Sequence, residues 1–239
     1  MATATPEQVR AGLATVTTAA QQDVQAVAAQ AQTPTEVRAA LFAAVPLIVA
    51  EYGDGAASLA LDWYEELREA ATPAKAFAPQ AVFAVREEKL AAAVAWATTD
   101  LHDLEQSTPT DLDTLTARAT DEAMTLLLPQ VQKEVAAGFR ATMVTNSDHD
   151  PAATGWRRYT RAGGCKFCRM LADKGAVYTR ATVRFAAHTD CECVVGPSFD
   201  PNAPRASVLQ YEASRKRRSA RDRAALRDYL NQHFPDAPG

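Results

Sequence analysis

Five residues of the types that bind metals lie close together in the second half of a 239-residue chain. They follow the pattern Cys165-x-x-Cys168, then 19 residues, then His188-x-x-Cys191-x-Cys193. A CxxC turn brings two thiolates to one metal ion, and a second pair from a distant segment completes a tetrahedron. The spacing therefore predicts a structural zinc site.

Five candidate ligands compete for four positions, and two ligand sets are open. Cys191 and Cys193 are two residues apart, so on an extended segment both side chains point to the same side. Either Cys165, Cys168, His188 and Cys191 bind zinc, or the four cysteines bind it and His188 orients them from outside the ligand shell. Two disulfides are disfavoured in a cytoplasmic product, and the spacing argues against unliganded cysteines.

The segment around these ligands is short. A module of about 45 residues is too small to hold a core without its metal. Replacing Cys165 or Cys168 with serine is therefore predicted to unfold residues 155–200 and to leave the helical unit before them intact. A fully protein-ligated ion has no open position for water, which favours a structural over a catalytic role.

Charge divides the chain into unlike parts. Residues 1–150 carry a net charge of −12 and residues 151–239 a net charge of +8, and all four cysteines lie in the second part. Such asymmetry indicates units with different roles. The predicted fold is mainly α: an acidic helical bundle at 1–150, a small zinc-stapled α+β module at 151–200, and a linker with a basic C-terminal helix at 201–239.

The first part is rich in Ala, Leu, Glu and Gln and poor in Gly, which favours helices. Thr-Pro pairs at residues 5, 33, 72 and 108 predict helix starts, because Thr caps an N-terminus and Pro suits the first turn. Two pairs complete a capping box, Thr5 with Gln8 and Thr33 with Glu36.

Breaks are predicted as well. Gly53 and Gly55 are expected to interrupt the second helix, with a further helix following them. Residues 82–104 and 112–143 are expected to be helical, the latter kinked at Pro129.

The aromatic and histidine residues of this part suggest no chemistry. Trp63, Tyr64 and Trp96 stand at helical spacing beside Leu and Ala, which predicts core positions. His102 and His149 lie among acidic residues and are predicted to be solvated.

The sequence also bears on location. Glu7 and Arg10 occupy the place where a signal peptide needs its apolar region. The longest apolar run covers 12 residues, 39–50, which is too short to cross a bilayer. These features predict a protein that stays in the cytoplasm where it is made and does not contact a membrane.

A basic block follows a linker at 197–204 that contains three Pro. Residues 206–234 are predicted to form a helix. Its basic residues are Arg215, Lys216, Arg217, Arg218, Arg221 and Arg223. The block is either a solvated helix face or a surface for phosphates or an acidic protein, and no sequence-reading motif accompanies it.

The Cys/His stretch carries a resemblance to a known family. The sequence CKFCRMLADKGAVY at 165–178, with Phe185-Ala-Ala-His188 and Cys191-Glu-Cys193, resembles the C-terminal module of MuF-like minor head proteins of tailed bacteriophages. The similarity is to the branch found in phages of actinobacteria. EYGDGAA at 51–57 and DWYEELR at 62–68 extend the resemblance over about residues 35–200. Thr189 stands where the wider family often has Pro.

The resemblance implies a low-copy protein made in the cytoplasm of the host bacterium and located inside the phage head near the portal. It implies a role in head assembly, with the portal and major capsid proteins as partners. The basic helix would face these partners or packaged DNA.

Relatives in this branch are often labelled capsid maturation proteases that cleave the major capsid or scaffold protein. The chain has no GxSxG elbow and no HExxH motif. A Ser/His pair drawn from His102, His149, Ser107 and Ser147 is a hypothesis, and the sequence names no nucleophile. The structural role is therefore favoured over the protease, and a non-specific DNA-binding head component is a third hypothesis.

Overall fold

A computed structural model describes residues 3–161, 163–176, 178–179, 187–188, 191–203 and 219–235. Within these residues the chain is mainly helical, as predicted, with a small two-stranded sheet. The helices are α1 (Pro6–Ala29), α2 (Pro34–Ala71), α3 (Glu87–Ala97), α4 (Thr99–Glu105), α5 (Leu112–His149), α6 (Lys166–Asp173) and α7 (Ala220–His233). The strands are β1 (Gly155–Tyr159) and β2 (Val194–Ser198).

Capping boxes decide which Thr-Pro pairs start a helix. The Thr5 hydroxyl accepts from the backbone N–H of Gln8 at 3.3 Å, and the Gln8 side chain accepts from the Thr5 backbone N–H at 2.8 Å. Thr33 caps α2 in the same way. The other two predicted starts are wrong: Thr72 ends α2 in a left-handed conformation, and Asp111, not Thr108, precedes α5. Neither of these pairs has the Glu or Gln that completes the box.

The predicted break at Gly53 and Gly55 is also wrong, because α2 continues without interruption to Ala71. Gly53 makes room for the Phe83 ring, which a Cβ at this position would overlap, and Gly138 allows a close crossing of α2 and α5. A Cβ added at Gly138 of α5 would overlap the carbonyl oxygen of Gly53 and lie 3.2 Å from the Phe83 ring. The missing side chain of Gly138 therefore lets the two helix backbones approach each other, which offsets the helix-weakening effect of glycine.

The segment before α3 is not helical, so the predicted helix over 82–104 is too long. The backbone N–H of Gln80 donates to the Asn146 side chain and that of Val82 to the Thr142 hydroxyl, each at 2.9 Å. Polar side chains of α5 thus take the hydrogen bonds that a helix would make internally. Helix α5, by contrast, is longer than predicted. It continues through Pro129 and past its predicted end at residue 143 to His149.

The three aromatic residues predicted to lie in the core differ in their burial. Trp63 and Tyr64 lie in the core, as predicted, but Trp96 is 55% exposed, so its predicted core position is wrong. The buried stripe of α3 consists of Leu90, Val94 and Ala97, and Trp96 lies outside that stripe. His102 and His149 are exposed, as predicted.

The small sheet packs on the helices. β1 pairs antiparallel with β2, and the Trp156 ring stacks on Tyr178 with centroids 4.6 Å apart. Trp156, Val194 and Val195 belong to the same hydrophobic core as α1–α5. A Cβ on Gly196 would lie 3.2 Å from the Trp63 ring, so glycine lets this ring reach the sheet. The helical core therefore extends past residue 150.

The long helix α2 meets the length and composition needed to cross a membrane, with a mean hydropathy of 1.3 over 18 residues. The core helix of a folded domain passes the same test. In the structure α2 packs against α1 and α5, and its buried residues include Leu41, Val45, Val49 and Ala56. The absence of membrane contact stays a prediction.

A buried carboxylate joins the end of α5 to α2. The fully buried side chain of Asp150 accepts from Arg68 Nε at 2.7 Å and from the Tyr64 hydroxyl at 3.2 Å. Its other oxygen accepts from the backbone N–H of Ala152 at 2.9 Å. Burial, together with the Asp150 charge, raises the pKa of Tyr64, so this hydroxyl stays protonated and donates. The chain leaving α5 is fixed in this way before it enters β1.

We expect Asp150→Ala to lower the free energy of unfolding by about 3 kcal/mol, because it leaves Arg68 and Tyr64 without their buried acceptor. Urea unfolding followed by circular dichroism measures the change. Asp54→Ala is the matched control: Asp54 is exposed on α2, and its loss should change stability by no more than about 0.5 kcal/mol. Equal stability of both variants would contradict the assigned role.

Candidate metal centre

Helix α6 positions the first two cysteines. Cys165 is the N-cap of α6, and its sulfur accepts from the backbone N–H of Cys168 at 3.3 Å. Cys165 is exposed and Cys168 is buried. The CxxC spacing thus forms a turn that holds both sulfurs at the start of one helix.

The second pair of cysteines precedes β2. Cys191 and Cys193 are both buried, and their sulfurs share one group with that of Cys168. Glu192 between them forms ion pairs with Arg161 at 3.1 Å and with Arg10 at 3.9 Å. The structure therefore brings both cysteines to the same cluster, in keeping with the alternation of an extended segment.

The five predicted ligands form two groups of three that share Cys168. One group contains Cys165, Cys168 and His188, the other Cys168, Cys191 and Cys193, and within each the ligand atoms lie within 4.8 Å of one another. The Cys168 and Cys191 sulfurs are 3.8 Å apart. His188 Nε2 lies 3.1 Å from the Cys165 sulfur and 3.3 Å from the Cys168 sulfur. Thiolate and imidazole groups suit zinc, so the donor set fits that metal.

Two buried arginines face this cluster. Arg140 of α5 donates to the backbone carbonyls of Cys191 and, at 3.3 Å, of Cys193. Arg158 of β1 places Nη1 at 3.7 Å from the Cys168 sulfur and 3.9 Å from the Cys191 sulfur. Both arginines are less than 5% exposed. Sequence analysis missed them, because they lie outside the cysteine motif and only the packing of α5 and β1 brings them to it.

The thiols of the cluster have unequal proton affinities. Hydrogen bonds from Cys168 and Cys193 lower the pKa of Cys191, with Arg140 acting in the same direction, and the hydrogen bond to Cys191 raises that of Cys168. Burial lowers the pKa of Arg140, although a guanidinium keeps its charge in proteins. Negative charge is therefore favoured at Cys191, next to the arginines.

The C-terminal helix lies against the CxxC helix. Lys166 Nζ donates to Asn231 Oδ1 at 2.8 Å, and Arg169 Nη2 donates to the carbonyl of Phe234 at 2.6 Å. Arg221 and Arg223 of the basic block are exposed on α7. The rest of the block, Arg215, Lys216, Arg217 and Arg218, lies outside the described residues, as does Phe185.

The four residues considered for a Ser/His protease are not joined to each other. Ser147 donates to the carbonyl of Met143 and Ser107 to that of Leu104, while His102 pairs with Glu105 at 3.0 Å. Among the described residues no hydrogen bond links one of these serines to His102 or His149. The structure thus assembles no nucleophile–base pair from this set.

A groove of about 980 Å³ runs along α5. Its lining includes the charged residues Arg86, Lys89 and Glu134, and both cations pair with this buried carboxylate at 2.5–2.6 Å. These charges serve to hold the start of α3 on α5. No serine or cysteine is among the described residues that line the groove.

Comparison with known proteins gives one match. A sequence model of the VG15 protein family matches residues 1–218, which is nine-tenths of the chain. The chain belongs to the VG15 protein family. This family is phage-associated, in agreement with the phage origin that the sequence resemblance implied. No curated protein and no solved structure matches the chain.

The VG15 match covers helices α1–α6, both arginines and all five candidate ligands, and it ends before α7 begins at Ala220. Membership fits a virion-associated protein made in a host cell.

Proposed function

We propose that this VG15 family protein is a MuF-like minor head protein that acts in head assembly near the portal and contains a structural zinc ion. The observation that carries the proposal is the family match over residues 1–218, which includes the complete Cys/His cluster. Proteins of this type act as structural parts of the head. The protein would lie in the capsid interior.

The zinc part of the proposal is supported by the donor set. Two thiolates at a helix start and two from a distant extended segment are the arrangement of closed structural sites. Cys168, Cys191 and Cys193 are buried in a small cluster of their own, apart from the main hydrophobic core, as the ligands of a closed metal site would be. When bound, the ion would tie α6 to the segment before β2.

The partner surfaces follow from charge. The exposed faces of α1–α5 carry most of the acidic residues and would dock on the portal or major capsid protein. Arg221 and Arg223 with the block at 215–218 would face packaged DNA or an acidic protein surface. Non-specific DNA contact predicts binding that weakens steeply with salt and that is lost when residues 205–239 are deleted.

Quantitative mass spectrometry of purified virions tests the proposed role. We expect the intact chain at low copy number, on the order of the copy number of the portal, together with an unprocessed major capsid protein. If the chain is instead lost from mature particles while the major capsid protein is truncated, the protease label of the related branch is the better description. Absence of the chain from both proheads and virions would contradict both roles.

A further inference from the structure

The two ligand sets left open by the sequence differ in charge. A divalent zinc ion with four thiolates has two net negative charges, whereas three thiolates and a neutral imidazole leave one. Arg140 and Arg158 bring two positive charges to the cluster, and both are less than 5% exposed. A buried charge without a partner is costly, so the arginines favour the ligand set whose charge they neutralise.

The distances from His188 to the sulfurs also favour the ligand set of four cysteines. Two sulfur ligands at bond lengths of about 2.3 Å lie roughly 3.8 Å apart in a tetrahedron around zinc. A sulfur ligand and a nitrogen ligand at about 2.0 Å lie roughly 3.5 Å apart. The Cys168 and Cys191 sulfurs are 3.8 Å apart, which is the separation expected of two sulfur ligands. His188 Nε2 lies 3.1 Å from the Cys165 sulfur and 3.3 Å from the Cys168 sulfur. Both distances are shorter than the separation expected between a sulfur and a nitrogen that bind the same zinc ion. Both separations are within hydrogen-bond distance, and the Nε2–H tautomer of His188 would donate to the sulfurs.

Cys193 has the burial and position of a ligand. It is 2% exposed and shares one group with Cys168 and Cys191, whereas His188 is exposed at the rim. Arg140 holds the backbone carbonyls on both sides of Glu192, which fixes the two cysteines as a pair.

We infer that zinc is bound by Cys165, Cys168, Cys191 and Cys193, with His188 donating a hydrogen bond to the sulfurs and with Arg140 and Arg158 as positioning residues that neutralise the centre. The inference rests on the proposed zinc site. Its consequence is that the metal centre is anchored to α5 through Arg140 and to β1 through Arg158. The centre is thereby packed against the helical part of the protein and is not an independent module.

X-ray absorption at the zinc edge of the full-length, zinc-loaded chain tests the ligand set. We expect four sulfur scatterers at about 2.3 Å in the wild type and in His188→Ala, and three in Cys193→Ser. Three sulfurs and one nitrogen in the wild type, or an unchanged shell in Cys193→Ser, would overturn the ligand set while leaving the zinc site standing. A chain that takes up no zinc would instead refute the proposed site itself.

The arginines have a test of their own with a matched control on the same strand. We expect Arg158→Met to weaken zinc binding by about 10- to 100-fold, measured by competition with a chelator, and Arg158→Lys to restore most of the loss because it keeps the charge. Arg157→Met should bind like the wild type, since Arg157 is exposed and packs over Tyr159. Arg140→Lys should likewise bind more tightly than Arg140→Met. Equal affinity of the Arg158→Met and Arg157→Met variants would overturn the role of Arg158.

Discussion

Replacing Cys168 with serine is expected to weaken zinc binding strongly and to release α6 from the segment before β2 while α1–α5 stay folded. Cys168 belongs to both groups of ligands, so its loss leaves neither group complete. Structural zinc sites contribute on the order of 10 kcal/mol to the folding of the segments that they join. α6 has one buried side chain, that of Cys168 itself, so apart from hydrogen bonds to α7 and from the Tyr178 hydroxyl we expect the metal to hold this helix in place.

The structure indicates that Cys168→Ser unfolds a smaller region than the sequence predicted. The sequence predicted unfolding of residues 155–200, but Trp156, Val194 and Val195 pack in the helical core. We therefore expect faster amide exchange and new protease cleavage in Lys166–Asp173 and at 191–193, with β1 and β2 still protected. Hydrogen exchange read by mass spectrometry measures both regions in one experiment.

The controls separate loss of the metal from a local effect of the substitution. Asp173→Ser changes an exposed position at the end of the same helix and should leave zinc content and exchange as in the wild type. Chelation of zinc from the wild type should reproduce the Cys168→Ser pattern. If the chelated chain and the variant both keep α6 as protected as in the zinc-loaded wild type, the site does not hold this part of the fold together.

Replacing Gly138 with alanine is expected to lower the free energy of unfolding by about 3 kcal/mol, the largest loss that we expect from adding a single methyl group to this protein. The new Cβ would lie 3.1 Å from the Gly53 carbonyl carbon, overlap its oxygen, and meet the Phe83 ring. Backbone atoms cannot turn aside as a flexible side chain does. α2 and α5, the helix pair with the most extensive contact in the fold, would have to separate.

Gly55→Ala provides a control of opposite sign on the same helix. Nothing lies within 4 Å of a Cβ at Gly55, so alanine should add about 0.5–1 kcal/mol by favouring the helical backbone. In a thermal melt the two variants should move in opposite directions, with Gly138→Ala lower by about 6–12 °C. If the Gly138→Ala protein is as stable as the Gly55→Ala protein, α2 and α5 do not cross closely at Gly138.

The sequence by itself determined the features that depend on neighbours along the chain. The capping boxes at Thr5 and Thr33 start α1 and α2 because their hydrogen bonds close within four residues. The cysteine and histidine spacing likewise identified the cluster, since a CxxC turn is a local geometry. The mainly helical class followed from composition.

The tertiary structure alone decided what depends on contacts between distant segments. Gly53 weakens a helix locally, and only the Phe83 ring packed against it shows why α2 retains a glycine there. The helical propensity of residues 82–86 loses to hydrogen bonds from α5, and the outward position of Trp96 follows from which face of α3 meets α2. Arg140 and Arg158 reach the cysteines through packing that no spacing rule encodes, because a buried charge is placed by the whole fold around it.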